Sequence, residues 1–352
     1  MRRRTFLTSV GAGATAGLAG CLVNNGDDGS SEADITVGIV YSTGGLGDES
    51  FNDMANAGVE RAVSEFGIDY EDAEPEEVSD MNEMQRQFAR QDDIDLVCCI
   101  GYDHQTDLEQ NAAEFSDQQF MIVDSMVDAD NVINYVFREH EGSFLVGQLA
   151  GLLTETEYAH AGGESNPGES IIGFVGGRET SLIKRFEAGY RAGAEHVDEG
   201  IDVRDAYAGS FTDPATGQEI ANGMYSDGAD VVYHSSGNTG GGVFESAQSN
   251  GRFAIGVDDD QSVSSEDFSD VIVASMVKYV DNAVYESIQS VVEDDFSGGE
   301  TNDLGLEEDG VDAVIGQDFE GELPGDITSS IEESRQQIID GEIDVPTTTD
   351  DS

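Results

Sequence analysis

From Ile35 onward, short runs of nearly continuous apolar residues alternate with longer stretches in which apolar positions return every three or four residues. The first pattern suits a strand buried on both faces, the second a helix that covers it. Ile35–Tyr41 therefore reads as strand and Phe51–Phe66 as helix. "LVCCIG" is the next strand, "TDLEQNAAEF" a helix and "FMIVDS" a further strand, and Glu139–Leu153 forms an amphipathic-to-apolar helix. A glycine-rich stretch, "HAGGESNPGES", reads as a loose linker ending at Ser170, and the alternation then restarts. Strands follow at "IIGFVGG", "VRDAYAG", "DVVYHSS" and "FAIGVDDD", with helices at Leu182–Val197, Gly217–Ser226 and Gly242–Asn250. "VIVASMVKYVDNAVYESIQSVVEDD" adds a strand and a long helix, and Ile327–Ile339 a last helix, ended by Gly341 with Pro346 beyond. Unbroken βα alternation predicts parallel sheets covered by helices, and the restart predicts two such units.

Many strands end in a small or polar residue followed by glycine or a charge: Ser42-Thr43-Gly44, Asp124-Ser125, Gly176-Gly177-Arg178, Ser235-Ser236-Gly237 and Gly256-Val257-Asp258. Ligands of open α/β sheets bind beyond the carboxyl ends of the strands. Two sheets with such edges predict a cleft between lobes.

The first residues read as an export signal rather than as part of the fold. "MRRRTFLTSVGAGATAGLAGC" places arginines at Arg2 to Arg4 before a short, weakly apolar stretch and "LAGC". The twin arginines resemble a Tat signal and "LAGC" a lipobox, which would make Cys21 the lipid-modified mature N-terminus, followed by a polar tether. Cys98 and Cys99, adjacent in a strand, point to opposite faces and are expected to be buried free thiols. Asp and Glu number 74 against 15 Lys and Arg, a formal charge of −59, which argues against nucleic acid and anionic membrane surfaces as partners. Spread along a chain rich in apolar strands, this charge reads as a carboxylate-covered surface adapted to concentrated salt.

The chemistry-bearing motifs are few. "GGLGDESFNDMANAG" (Gly44–Gly58) follows a strand but lacks the lysine and hydroxyl of a phosphate loop, and Asp48 and Glu49 would repel phosphate. Asp48 is equally readable as a helix cap, with Ser50 competing. "GNTGGG" is either a ligand-approaching loop or a tight turn, and the aspartates of "GVDDDQS" lack calcium-loop spacing. No HExxH, G-x-S-x-G or Ser-His-Asp arrangement stands out, so no catalytic residue, metal site or cofactor is assigned.

Taken in order, "GGLGDESFNDMANAG", "FREHEGSFLVGQLAG", "IIGFVGGRETSLIKRFEAGYRAGA", "YAGSFTDPATGQEIANGMYSDGADVVYHSSGNTGGGVFESAQ", "FAIGVDDDQS" and "GEIDVP" resemble the basic membrane protein family. These are substrate-binding lipoproteins of ABC importers, many of them specific for nucleosides. The resemblance spans Ile35 to Pro346 and implies a type I periplasmic-binding-protein fold, two doubly wound lobes closing on a ligand. It implies residues 1–21 as signal, 22–33 as tether, 34–138 with 262–295 as one lobe, 139–261 with 296–346 as the other, and 347–352 as a polar tail. The C-terminal helix is expected across the hinge. Matched motif by motif, Phe51 and Phe186 would sandwich a base, Asp124 and Asp258 would meet the sugar, and Gly237 would make a main-chain contact. Lys278 would lie near the ribose hydroxyls. Asn52 faces the cleft or braces its loop. Ser42, where family members often carry an acid or amide, and Asp48 are further candidates, and the departure at Ser42 leaves the base preference open. The implied protein is a monomeric, non-enzymatic nucleoside carrier, held to the outer membrane face by its lipid and served by an ABC permease and ATPase. A carrier of a free sugar or other polar solute, a nucleoside-processing enzyme and a ligand sensor are the alternatives.

Overall fold

The computed structural model describes residues 35–349. The signal, Cys21 and the tether lie outside the described residues. The first half begins with β1 (Thr36–Val40), α1 (Phe51–Phe66), β2 (Asp69–Ala73), α2 (Met81–Ala89), β3 (Leu96–Cys99), α3 (Gln105–Glu114), β4 (Gln119–Val123) and β5 (Val132–Phe137). The chain then crosses into the second half with α4 (Glu139–Thr154), a two-stranded ladder of β6 (Ala159–His160) and β7 (Gly163–Glu164), β8 (Ile171–Gly176), α5 (Ser181–Val197) and β9 (Asp202–Tyr207). It continues through α6 (Pro214–Ser226), β10 (Val231–Ser235), α7 (Gly240–Asn250), β11 (Phe253–Asp258), α8 (Gln261–Ser264) and β12 (Ile272–Lys278). The chain returns to the first half for α9 (Val280–Val292) and β13 (Thr301–Leu304), and ends in the second with β14 (Val311–Ile315) and α10 (Gly325–Ile339).

Each half holds a six-stranded sheet, in the orders β2-β1-β3-β4-β5-β13 and β9-β8-β10-β11-β12-β14. All neighbouring pairs in these two sheets are parallel except β12 with β14. Both sheets are doubly wound, with a switch point beside the first strand, the place where such sheets bind ligands. The period of two is visible at Cys98 and Cys99. Cys98 packs with Val59 and Ala283 on one face of its sheet, and Cys99 packs with Phe88 and Leu108 on the other. Both are buried free thiols.

Four differences from the sequence division are physical. Residues 262–295 do not form one block: β12 pairs β11 and β14 in the second sheet, and only α9 returns to pack on α1. β13, expected in the second lobe, pairs β5 in the first. Chain order cannot reveal which sheet a strand joins, because backbone pairing decides it. The stretch read as a loose linker lies within the second half and is pinned there. Buried Asp230 accepts from Asn166 N at 2.8 Å and Thr154 Oγ1 at 2.7 Å, and pairs with Arg252 at 2.8 Å. The last helix packs on α4 in the second half rather than across the hinge.

α4 and α5 approach backbone to backbone. A Cβ on Gly147 would lie 2.1 Å from Tyr190 O, and one on Gly193 2.0 Å from Phe144 O. Any side chain there would force the helices apart, so glycine is the residue that permits this spacing.

Candidate functional site

The first wall of the cleft is built by the loop between β1 and α1. Asp48 caps the helix. Its Oδ1 accepts from Ser50 N (3.0 Å) and Asp53 N (3.2 Å), and its Oδ2 from Asn52 N and Nδ2 (both 3.0 Å). Burial pushes the Asp48 carboxyl up to about 6, against the pull of these amides. Asn52 Oδ1 in turn accepts from the backbone and hydroxyl of Ser42, both at 3.0 Å. Ser42, Asp48 and Asn52 thus brace one another, which presents Phe51, the first residue of α1, to the cavity. Ser50 spends its hydroxyl elsewhere, donating to Asp258 Oδ2 at 2.6 Å in the other half.

The second wall comes from α5 and the loops after β8, β9 and β10. Thr180 caps α5 by accepting from Ile183 N. Leu182, Ile183 and the buried ring of Phe186 then face the cavity, together with Phe211 and the turn Ser235-Ser236-Gly237. Gly237 has a left-handed φ of 54° and begins the short turn that feeds α7.

The two halves meet at a buried charge. Lys278, the last residue of β12, donates to Asp124 Oδ1 at 2.9 Å and Oδ2 at 2.8 Å. Its Nζ lies 4.6, 5.4 and 5.7 Å from the ring centroids of Phe51, Phe137 and Phe186. Burial alone would lower the Lys278 pKa, but Asp124, Asp258 and Glu139 outweigh it and the net shift is upward. Burial raises Asp258 despite Lys278 and Ser50. Glu139, fully buried at the crossover into α4, is likewise raised by burial, opposed by Lys278 and by Arg185 at 3.4 Å. Asp124 (φ 64°) and Asp258 (φ 67°) both take the left-handed backbone that a non-glycine residue seldom adopts. Such backbone concentrates at binding sites.

These walls close on a single narrow cleft, lined from both halves. Every candidate named from the sequence lines it: Ser42, Asp48, Phe51, Asn52, Asp124, Phe186, Gly237, Asp258 and Lys278. Sequence reasoning missed Tyr102, Asp103, Leu182, Ile183 and Phe211, which also line it, and Glu139 beside it. "IGYD", a strand end running into glycine, carried the same signal as the edges that were noticed. The remaining aspartates of "GVDDDQS" serve the backbone. Asp259 accepts from Asp260 N, and Asp260 caps α8 by accepting from Ser262 N at 3.1 Å.

A family model described as Bmp, ABC transporter substrate-binding protein PnrA-like, matches residues 35–349. The chain belongs to this family. The family's members are ABC transporter substrate-binding proteins, and the fold and cleft above are of that kind. Among its relatives, the ABC transporter nucleoside-binding protein BmpA of Lactococcus lactis is 32% identical over 98% of this chain and 99% of its own length. A Pyrococcus furiosus protein named an uncharacterized lipoprotein is 31% identical over 97% and 88%. A solved ABC transporter solute-binding protein from Aeropyrum pernix superposes with a TM-score of 0.79 at 28% identity, covering 90% of this chain and 95% of that one. No helix among the described residues is long and apolar enough to cross a membrane.

Proposed function

We propose that the cleft captures a nucleoside without turning it over, and that the protein hands it to an ABC permease and ATPase from a lipid anchor at Cys21 on the outer membrane face. The observation that carries this reading is the pairing of two phenylalanines from opposite halves, Phe51 and Phe186, with Asp124, Asp258 and Lys278 in one cavity. A flat base wants aromatic faces, and vicinal hydroxyls want charged acceptors and a donor. Asp48, Asp124 and Asp258 line the cavity with one lysine, already engaged by Asp124, so a phosphate would enter against net negative charge. The name of the Lactococcus relative points the same way.

Calorimetry with inosine, inosine monophosphate and ribose tests this directly. Inosine should bind tightest. Stronger binding of the monophosphate, or of ribose, would defeat the reading, and release of free base during incubation would make the protein an enzyme. The anchor and the export route are tested by replacing Cys21 with Ser, which should release the protein from membranes or leave it unprocessed. The salt-adapted surface should show as a steep loss of thermal stability from molar salt to dilute buffer, as the screening length grows from about 3 Å at 1 M to about 30 Å at 0.01 M.

A further inference from the structure

Two charged side chains at the rim of the cleft have no part in the reading above. Asp103 follows Gly101 and Tyr102 beyond β3 in the first half, and Arg178 follows Gly177 beyond β8 in the second. Arg178 Nη1 donates to Asp103 Oδ2 at 2.7 Å and Nη2 to Oδ1 at 3.2 Å, a two-pronged fork across the halves. The guanidinium carbon also lies 5.7 Å from the ring centroid of Tyr102 in the first half and 5.8 Å from that of Phe211 in the second. Their side chains are 33% and 17% exposed, whereas Lys278 is 2% exposed, so this pair faces solvent where the lysine does not.

Local backbone puts both partners in place. Gly101, at φ 109°, turns the chain where a Cβ would sit 3.3 Å from Ser42. A Cβ on Gly177 would lie 2.3 Å from the Phe211 ring, so glycine there lets that ring pack beside Arg178. Among the described residues, the halves are covalently joined only where the chain crosses after β5, after β12 and between β13 and β14. Separating them at the rim breaks the fork and parts Arg178 from Tyr102. A planar, weakly hydrated guanidinium suits such a contact better than an ammonium would.

We propose that Arg178 and Asp103 form a rim clasp, an ion pair between the two halves that holds the cleft shut and sets how fast its occupant leaves. They act as positioning residues. The proposal rests on the nucleoside reading only for the choice of probe.

The test uses the full chain in detergent micelles and the variants Arg178→Lys, Arg178→Met, Asp103→Asn and the Met/Asn double. Inosine release is followed by stopped flow. In parallel, amide hydrogen exchange is followed in protein with no nucleoside added, over 99–105 and 176–183. Arg178→Met and Asp103→Asn should each speed release about tenfold, the size expected for a charged hydrogen-bonded pair discounted for exposure. Association should change less than about twofold. Exchange at both rim segments should quicken while the strands keep their protection, which shows an intact fold. Arg178→Lys, with charge but no fork, should fall between wild type and Arg178→Met. The double variant should be no faster than either single, because the two residues act as one pair. Unchanged release and exchange in the single variants, or additive effects in the double, would overturn the clasp. If wild type fails to bind inosine, the nucleoside reading falls and exchange alone decides the clasp.

Discussion

The two halves repeat one plan through four strands and then depart from it at the end of the fifth. In each, the helix after the first strand brings a phenylalanine to the cleft, Phe51 or Phe186, and the fourth strand in chain order leads to an aspartate in left-handed backbone, Asp124 or Asp258. The fifth strand breaks the repeat: β5 ends in Phe137, whereas β12 ends in Lys278. That lysine reaches back to the aspartate of the other half, while Asp258 takes a hydroxyl from Ser50. A duplicated scaffold supplies matched positions, and the polarity of the site comes from the place where the match fails.

Exchanging the residues at that strand end should have the largest effect. Lys278→Met leaves Asp124, Asp258 and Glu139 buried without their shared cation and should cost about 3–5 kcal/mol of stability in denaturant unfolding at fixed salt. Phe137→Leu, at the matching position, should cost only about 1–2 kcal/mol. Equal costs would mean the asymmetry has no energetic content.

Each half also buries one histidine. His104 Nε2 contacts Tyr41 O at 3.1 Å and its Nδ1 meets Gln85 Nε2, while His234 Nε2 contacts Gln261 Oε1 at 3.0 Å and its Nδ1 meets Ser236 Oγ. In both rings the neutral form with hydrogen on Nε2 satisfies both partners. Burial lowers each to about 4 from 6.5. The unfolded chain therefore takes up protons first as pH falls. The stabilisation present above about pH 6.5 is lost on the way down to about pH 4, on the order of 3 kcal/mol per ring. His104→Gln and His234→Gln should each flatten that limb of a stability-against-pH curve. An unchanged slope in one variant would show that the halves differ here too.

Of the matched aspartates, Asp258 should be the more direct to probe in binding, since Asp124 is held by Lys278. Asp258→Ala should cost about 2–3 kcal/mol of inosine affinity by calorimetry. Asp259→Ala and Asp260→Ala should stay within about 0.5 kcal/mol. Equal losses at all three would favour a diffuse electrostatic role. A loss no larger than that at Asp258 is expected at the first-half ring: F51L should weaken inosine by about 1–3 kcal/mol and leave ribose unchanged. Unchanged inosine affinity would remove stacking from the argument.

Much of this was legible in the sequence because buried parallel strands are written as apolar runs and their ends as small or polar residues. α1 occurs as read, Phe51–Phe66, and every residue nominated by resemblance lines the cavity. β2, "DYEDA", went unread because it is an edge strand with charged, exposed side chains, held by backbone pairing to β1. The start of α6 was placed late because Asp213 caps it by accepting from Thr216 N, with Pro214 at the first helical position, upstream of the apolar pattern. The partners Asp124–Lys278 and Ser50–Asp258 stand 154 and 208 residues apart, and no spacing rule reaches that far.

The glycine contact between α4 and α5 gives the two aromatic walls different mechanical characters. α5 carries Phe186, and α4 begins at the crossover where the chain enters the second half. With no side chains at Gly147 and Gly193 between them, the two helices touch backbone to backbone, and Phe186 is carried on that joined pair. Phe51 instead stands at the end of a loop whose Gly44, Gly45 and Gly47 all have left-handed backbone. The first ring is thus carried by a loop tied through side-chain hydrogen bonds and the second by two helices in backbone contact, so the two walls of the cleft are stiffened by different means.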